Sequence, residues 1–177
     1  SMTSPMTLCA LDLALSTHGT MSLRDVMAPA IRYCFDGFAV RPRVHAFWMQ
    51  PAQCGRMERV AVVNKLPAAR KIYLDANGNL LAVGDILKNP DMGRTYERIA
   101  AEGAGVFYHG SIADQIEVDM ITNGGLINKQ DLAACTPTIN PPLVGSYRGN
   151  EIATNQLPGG GPMILQMLNI LESFDLS

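Results

Sequence analysis

Apolar residues along the chain recur mostly at helical spacing, with turn residues between the runs, which predicts a mainly helical protein. Residues 8–15 are largely apolar and read as the end of a buried helix, stopped by Gly19. Ser22 caps a second helix, with Asp25 three residues on in capping-box position. Val26, Met27, Ala30, Ile31 and Cys34 give it an apolar stripe, and Gly37 ends it. Pro29 interrupts that pattern and predicts a kink, or a start delayed to about residue 28. Residues 40–50 fit another helix with Val44, Phe47 and Trp48 on one side. Residues 51–69 mix Pro51, Gly55 and Pro67 with an apolar run at 60–63 and predict no single element.

Residues 72–74 and 80–83 are apolar and flank Asn77-Gly78, a pair that tolerates positive φ, so a small hairpin closed by Gly84-Asp85 is expected. Asn89-Pro90-Asp91 opens a helix running to Gly103 with Tyr96, Ile99 and Ala100 inward. Gly105 breaks the chain before Val106-Phe107-Tyr108. Ser111 is the expected cap of the next helix, whose buried stripe would be Ile112, Ile116, Met120 and Ile121, ending at Asn123-Gly124-Gly125. Asn128 with Asp131 repeats the capping box ahead of a short helix over 129–134. The texture then changes: residues 136–155 are rich in Pro and β-branched residues, predicting strands near 143–147 and 151–155. After a loop at 157–161, Pro162 suits the first turn of a last helix over 163–174, with Ile164, Met167, Leu168 and Leu171 among its apolar positions. Met163 and Met167 are expected to be core. The sum is an α+β chain, mostly helical, read as a single domain or fragment over 1–177. Ser1-Met2 reads as a cloning scar.

Composition narrows the classes. The net charge is −2, with 14 Lys plus Arg against 16 Asp plus Glu, so no basic surplus drives binding to nucleic acid or an anionic membrane. No apolar run approaches the roughly 20 residues of a membrane span. Cys9, Cys34, Cys54 and Cys135 form no Cys-x-x-Cys pair and have no His at ligand spacing, which argues against structural zinc. They read as small buried thiols, although four cysteines also allow two disulfides, and the redox compartment stays open.

The specific text goes further. The run from Gly19-Thr20-Met21-Ser22-Leu23 through the Pro29-Ala30 pair to Asp36-Gly37-Phe38 resembles the large subunit of γ-glutamyltransferases. Gly84-Asp85-Ile86-Leu87-Lys88-Asn89-Pro90, Ile99-Ala100-Ala101-Glu102-Gly103, Phe107-Tyr108-His109-Gly110-Ser111 and Asn123-Gly124-Gly125-Leu126-Ile127 follow in that family's order. Asp131-Leu132-Ala133, Pro141-Pro142-Leu143-Val144-Gly145-Ser146-Tyr147-Arg148-Gly149 and the block from Pro158 to Leu176 complete the run. The resemblance fades only between about Arg41 and Ala69.

What this resemblance implies is an expectation about a larger protein. The family's fold is the four-layer αββα fold of N-terminal-nucleophile hydrolases. A precursor cleaves itself, and the new N-terminal Thr of the small subunit attacks a γ-glutamyl amide such as that of glutathione. Its own α-amine can serve as base, and water or an amine takes the acyl group. No metal or organic cofactor is implied. The partners implied are the small subunit, the earlier part of the large subunit and γ-glutamyl substrates. The nucleophile, and the Arg that grips the donor carboxylate, match no position in this sequence. The chain is therefore expected to contain no catalytic, substrate-binding or metal-binding residue and to be inactive alone. A severed subunit is also expected to expose an apolar face through which it self-associates. Two alternatives are a free-standing helical interaction module and a fragment of a related acylase acting on cephalosporins or poly-γ-glutamate. Compartment and substrate are left open.

Several residues invite a chemical reading and are assigned a plainer one. Ser16-Thr17-His18 superficially resembles the family's cleavage site but falls at a helix end, and Ser1 lacks the strand start an N-terminal nucleophile needs. Gly159-Gly160-Gly161 could present N–H groups to an anion, but a tight strand-to-helix turn needing unusual φ is favoured; similar loops in relatives carry Ser there. His18, His45 and His109 have no partner at useful spacing. Asp114, Glu117 and Asp119 read as the wet face of a helix.

Overall fold

The computed structural model describes residues 4–52 and 55–175. Two compact units divide the chain, Ser1–Thr136 and Pro137–Ser177.

The first unit is helical. α1 (Thr7–His18) ends at Gly19, and α2 (Leu23–Asp36) begins under Ser22, whose hydroxyl oxygen accepts from the Asp25 amide at 3.1 Å. The helix is continuous through Pro29 from Leu23, so no delayed start occurs; the ring costs one backbone bond, while the capped first turn fixes the start. Gly37, at φ 84°, turns the chain into β1 (Phe38–Ala39). β1 pairs antiparallel with β2 (Ile86–Leu87), which sequence reading did not anticipate because two-residue strands carry no period. Val40 extends the tie: its amide donates to Asp85 O at 2.8 Å, its carbonyl accepts from Gly84 N, and its side chain is buried.

Between the strands lie α3 (Pro42–Trp48), α4 (Arg59–Lys65) and α5 (Pro67–Tyr73). The expected hairpin at 72–83 is corrected here. Pro67 starts a helix that absorbs Ile72 and Tyr73, leaving one bridge, Leu74 to Leu80. The turn itself is real: one Asp75 carboxylate oxygen accepts from the amides of Asn77 and Asn79, and Gly78 has φ 82°. Those amide donors, Asn79 first, hold the Asp75 carboxyl below its ordinary range.

α6 (Pro90–Glu102) is capped by Asn89, packs along α2 and stops at Gly103. Gly93 lets the helices approach: a Cβ there would lie 2.8 Å from the Phe35 ring and 3.1 Å from Cys34 Cβ. Next come the single turn α7 (Gly105–Tyr108), α8 (Ser111–Asn123) and α9 (Lys129–Ala133). Ser111 is not a cap. Gly110 takes that position, and the Ser111 hydroxyl instead accepts from the Arg98 guanidinium. Gly124, left-handed at φ 69°, and Gly125 close α8 by donating back to its last turn. The Asn128–Asp131 capping box is complete in both directions.

Two small clusters form the core of this unit. Ile99, Val106 and Ile112 make one; Tyr108, Ala113 and Leu132 make the other, and Leu8, Phe107 and Ile116 pack against both. The buried stripe expected on α8 therefore holds at Ile112 but not at Ile121, which is 76% exposed.

The second unit is a hairpin with one helix. β3 (Leu143–Tyr147) and β4 (Asn150–Thr154) pair antiparallel around Arg148-Gly149, both at positive φ, 49° and 78°. That is the signature of a two-residue turn matched to strand twist. α10 (Gly161–Glu172) lies on β3, where Gly145 gives Leu165 room: a Cβ at Gly145 would sit 2.8 Å from Leu165 Cδ2. Leu165 is the buried side chain of α10. Met163 and Met167, expected as core, are exposed, because the one small hairpin covers only part of the apolar surface of the helix.

Candidate functional site

The most prominent concavity in the first unit is an open apolar groove between α1 and α2 of about 730 Å³. Leu11 and Leu15 reach it from one helix and Val26 and Met27 from the other, with Tyr96 and Phe107 completing the lining. The expectation that α1 is a buried helix is corrected here: none of its residues is buried, and Leu11 is 62% exposed. Apolar spacing identifies the face of a helix that wants cover; it does not say whether this stretch of chain supplies it. Further exposed apolar side chains lie on α8 and beyond it, including Val118 and Leu126, and on α10. The chain leaves 12602 Å² accessible. Two free-standing globules of the units' sizes would leave about 9,800 Å².

In the second unit, residues 157–161 join β4 to α10. Gly159–161 were expected to need unusual φ, and they do not: none is at positive φ, and Gly160 has φ −76°. Their reason is close approach. A Cβ on Gly161 would lie 2.8 Å from Thr154 Cγ2, and one on Gly159 2.6 Å from Asn155 Cγ. Asn155 and Gln156 fill the space beside the glycines, and Gln156 Nε2 donates to Pro141 O at 2.8 Å. The arrangement is a packed strand-to-helix turn.

The titratable groups singled out in the sequence are not brought into one constellation. Ser16 and His18 lie in the last turn of α1, where the Ser16 hydroxyl donates to Leu13 O; Ser1 lies outside the described residues. His45 stands beside Trp48 on α3, and His109 ends α7. Asp114 forms an ion pair with Lys129, and Glu117 accepts from the Lys129 amide at 2.9 Å. Asp119 accepts from Asn123 at 3.0 Å. These carboxylates fasten α8 to α9 and to its own last turn rather than facing each other. Among the described residues, no three His, Cys, Asp or Glu side chains group to hold a metal ion. No described helix is long and apolar enough to cross a membrane.

One buried polar group was not foreseen. The Tyr108 hydroxyl accepts from Cys9 N at 2.9 Å and donates to Pro5 O at 2.7 Å, standing where the first-turn bond of α1 would run. Burial pushes this phenol up to about 12, with smaller upward contributions from the Cys9 and Cys135 thiols. Cys9 and Cys135 flank it, both half-buried and both free thiols, as is Cys34; Cys54 lies outside the described residues. Nothing in the sequence signals this cluster, since Cys9 lies 99 residues before Tyr108.

Comparison with known proteins places this geometry in context. The sequence profile described as Gamma-glutamyltranspeptidase matches residues 1–177, including the stretch where the resemblance faded. The glutathione hydrolase proenzyme of Escherichia coli is 36% identical over 174 residues, covering 98% of this chain and 29% of that protein. The Acylase ACY 1 proenzyme of Pseudomonas sp. (strain SE83) is 34% identical over 164 residues, covering 92% of this chain and 28% of that protein. Among solved structures, the Helicobacter pylori gamma-glutamyltranspeptidase superposes with a TM-score of 0.85 at 31% identity, covering 97% of this chain and 47% of that one. The chain thus spans less than a third of the curated relatives it matches. Its mostly helical α+β architecture is that of part of an αββα N-terminal-nucleophile hydrolase large subunit. The full-length profile match and the superposition together establish that the chain belongs to the gamma-glutamyltranspeptidase family.

Proposed function

We propose that this chain is a scaffold segment of a γ-glutamyl-transferring enzyme and performs no chemistry by itself. In that reading the parent protein transfers the γ-glutamyl group of glutathione or a similar donor to water or an amine. The N-terminal Thr of the small subunit supplies the nucleophile, and its α-amine is the base. The observation that carries the reading is the uncovered apolar surface of a chain matched end to end by one family's profile. About 2,800 Å² more is accessible than two free-standing globules would leave, the size of one side of a large permanent interface. The groove between α1 and α2 is a prominent part of it, and the parent's remaining chain, including the small subunit and the earlier part of the large subunit, is the natural cover. Isolated, the same surface favours self-association.

A second reading, a segment of a related acylase, is favoured by the 34% identity to Acylase ACY 1. Both readings share the scaffold role and differ in donor. Sequencing the coding DNA on both sides of the segment tests them. An Arg-bearing segment upstream and a Thr at a cleavable junction downstream are expected. Flanking sequence without either, or a stop and a start codon enclosing this chain, would favour a free-standing interaction module instead.

A further inference from the structure

We propose that Cys9 and Cys135 form a disulfide when the chain meets hydrogen peroxide, and that this bond ties α1 to the end of α9. The inference goes beyond the scaffold reading and does not depend on it. Both thiols pack against the same buried trio, Tyr108, Ala113 and Leu132, from opposite ends of the unit's sequence. Cys9 is anchored there, because its amide donates to the Tyr108 hydroxyl at 2.9 Å while its own Sγ donates to Met6 O at 3.0 Å. Cys135 stands just past α9, its amide donating to Leu132 O at 3.0 Å. Cys135 Sγ in turn donates to Asp131 O at 3.5 Å. No third ligand joins them among the described residues, so the chemistry open to the pair is oxidation rather than metal binding. Cys34 belongs to neither core cluster and lies instead against Gly93 of α6.

The two sulfurs take different roles. Burial first, and then the charge of Cys9, push the Cys135 thiol up, and we assign the initiating role to Cys9 and the resolving role to Cys135. Cys9 as thiolate attacks one peroxide oxygen. The O–O bond breaks, Cys9 becomes a sulfenic acid, and the departing hydroxide takes up the Cys9 proton as water. The Cys135 sulfur then attacks the Cys9 sulfur. The S–S bond forms, the S–O bond breaks, and hydroxide leaves with the Cys135 proton as a second water. The two sulfurs lose two electrons in total, and the peroxide accepts both. The new bond closes a long loop and restrains a helix that has no buried side chain of its own.

The test is peroxide treatment of the purified chain followed by non-reducing tryptic mapping. Trypsin leaves Cys9 within residues 1–24 and Cys135 within residues 130–148, so one linked pair of peptides is diagnostic. The expected result is that pair, with alkylatable thiols falling from four to two. The Cys34→Ser/Cys54→Ser double variant should give the same link, and its thermal midpoint should rise by several degrees on oxidation and fall back with reductant. Cys135→Ser, checked by circular dichroism to be folded, should give no link and accumulate sulfenic acid at Cys9. Links through Cys34 or Cys54, or four alkylatable thiols after a dose that oxidises a small free thiol, would overturn the proposal. A correct link that leaves the midpoint unmoved would overturn the tie to α1.

Discussion

Replacing Leu132 and Leu126 by alanine, one at a time, separates what this chain buries for itself from what it leaves uncovered. Leu132 is fully enclosed, at 0% exposure, against Tyr108 and Ala113, whereas Leu126 is 85% exposed. The Tyr108 ring beside Leu132 is pinned at its hydroxyl by two hydrogen bonds, so it cannot swing in to fill a void. Leu132→Ala then loses both the transfer free energy of the removed carbons and the contacts around the cavity, about 3 kcal/mol. For a chain of this length that lowers the thermal midpoint by about 6–12 °C. Leu126→Ala removes apolar surface already in water and is expected to stay within about 0.5 kcal/mol. Urea unfolding followed by far-ultraviolet circular dichroism reads both changes, with the Leu132→Ala midpoint displaced and the slope retained. Equal losses at the two sites, or a silent Leu132→Ala, would refute the assignment of the core.

Other perturbations test other parts of the structure. Tyr108→Phe deletes the hydroxyl shared by Cys9 N and Pro5 O and should cost about 1–2 kcal/mol, with faster hydrogen exchange at the Cys9 amide. Because the folded Tyr108 phenol is raised to about 12 from an ordinary 10.0, its stabilising effect is complete below pH 10. It is lost as pH rises through 12, since only the unfolded chain has then released its proton. Alkaline titration of stability should show that decline in the wild type and less of it in Tyr108→Phe. Gly93→Val forces a side chain against Phe35 and Cys34 where a Cβ alone would lie 2.8 Å from the ring, and should cost about 1–3 kcal/mol by separating α2 from α6. Arg148→Asn places a residue tolerant of positive φ in the β3–β4 turn and should stabilise the hairpin by about 1 kcal/mol, read from its amide protection.

Much of the helical architecture was legible because its signals are local. Ser22 and the Asn128–Asp131 pair each cap the helix they were expected to cap, Asn89-Pro90-Asp91 opens α6 as expected, and Gly37, Gly103 and Gly124 stop their helices. Local signals failed where a neighbour decided the outcome. The apolar run at 72–74 has strand character, but Pro67 launches a helix that consumes most of it. β1 and β2 exist only through each other, across a long separation. The glycines at 159–161 were credited with unusual φ, whereas the demand comes from the packing of Thr154 and Asn155. Ile121, Met163 and Met167 carry the right character for burial and remain exposed, because hydrophobicity is a property of the residue and cover is supplied by another surface. The Tyr108–Cys9–Cys135 cluster was illegible for the same reason: only folding brings its members together.

The scaffold account stands or falls on turnover. Incubating the purified chain with a γ-glutamyl anilide, alone and with an amine acceptor, and following release of the aniline should give the buffer rate in both cases. A saturable rate that scales with chain concentration and survives repurification would contradict it, because the nucleophile and the cationic grip on the donor would then have to reside within these 177 residues.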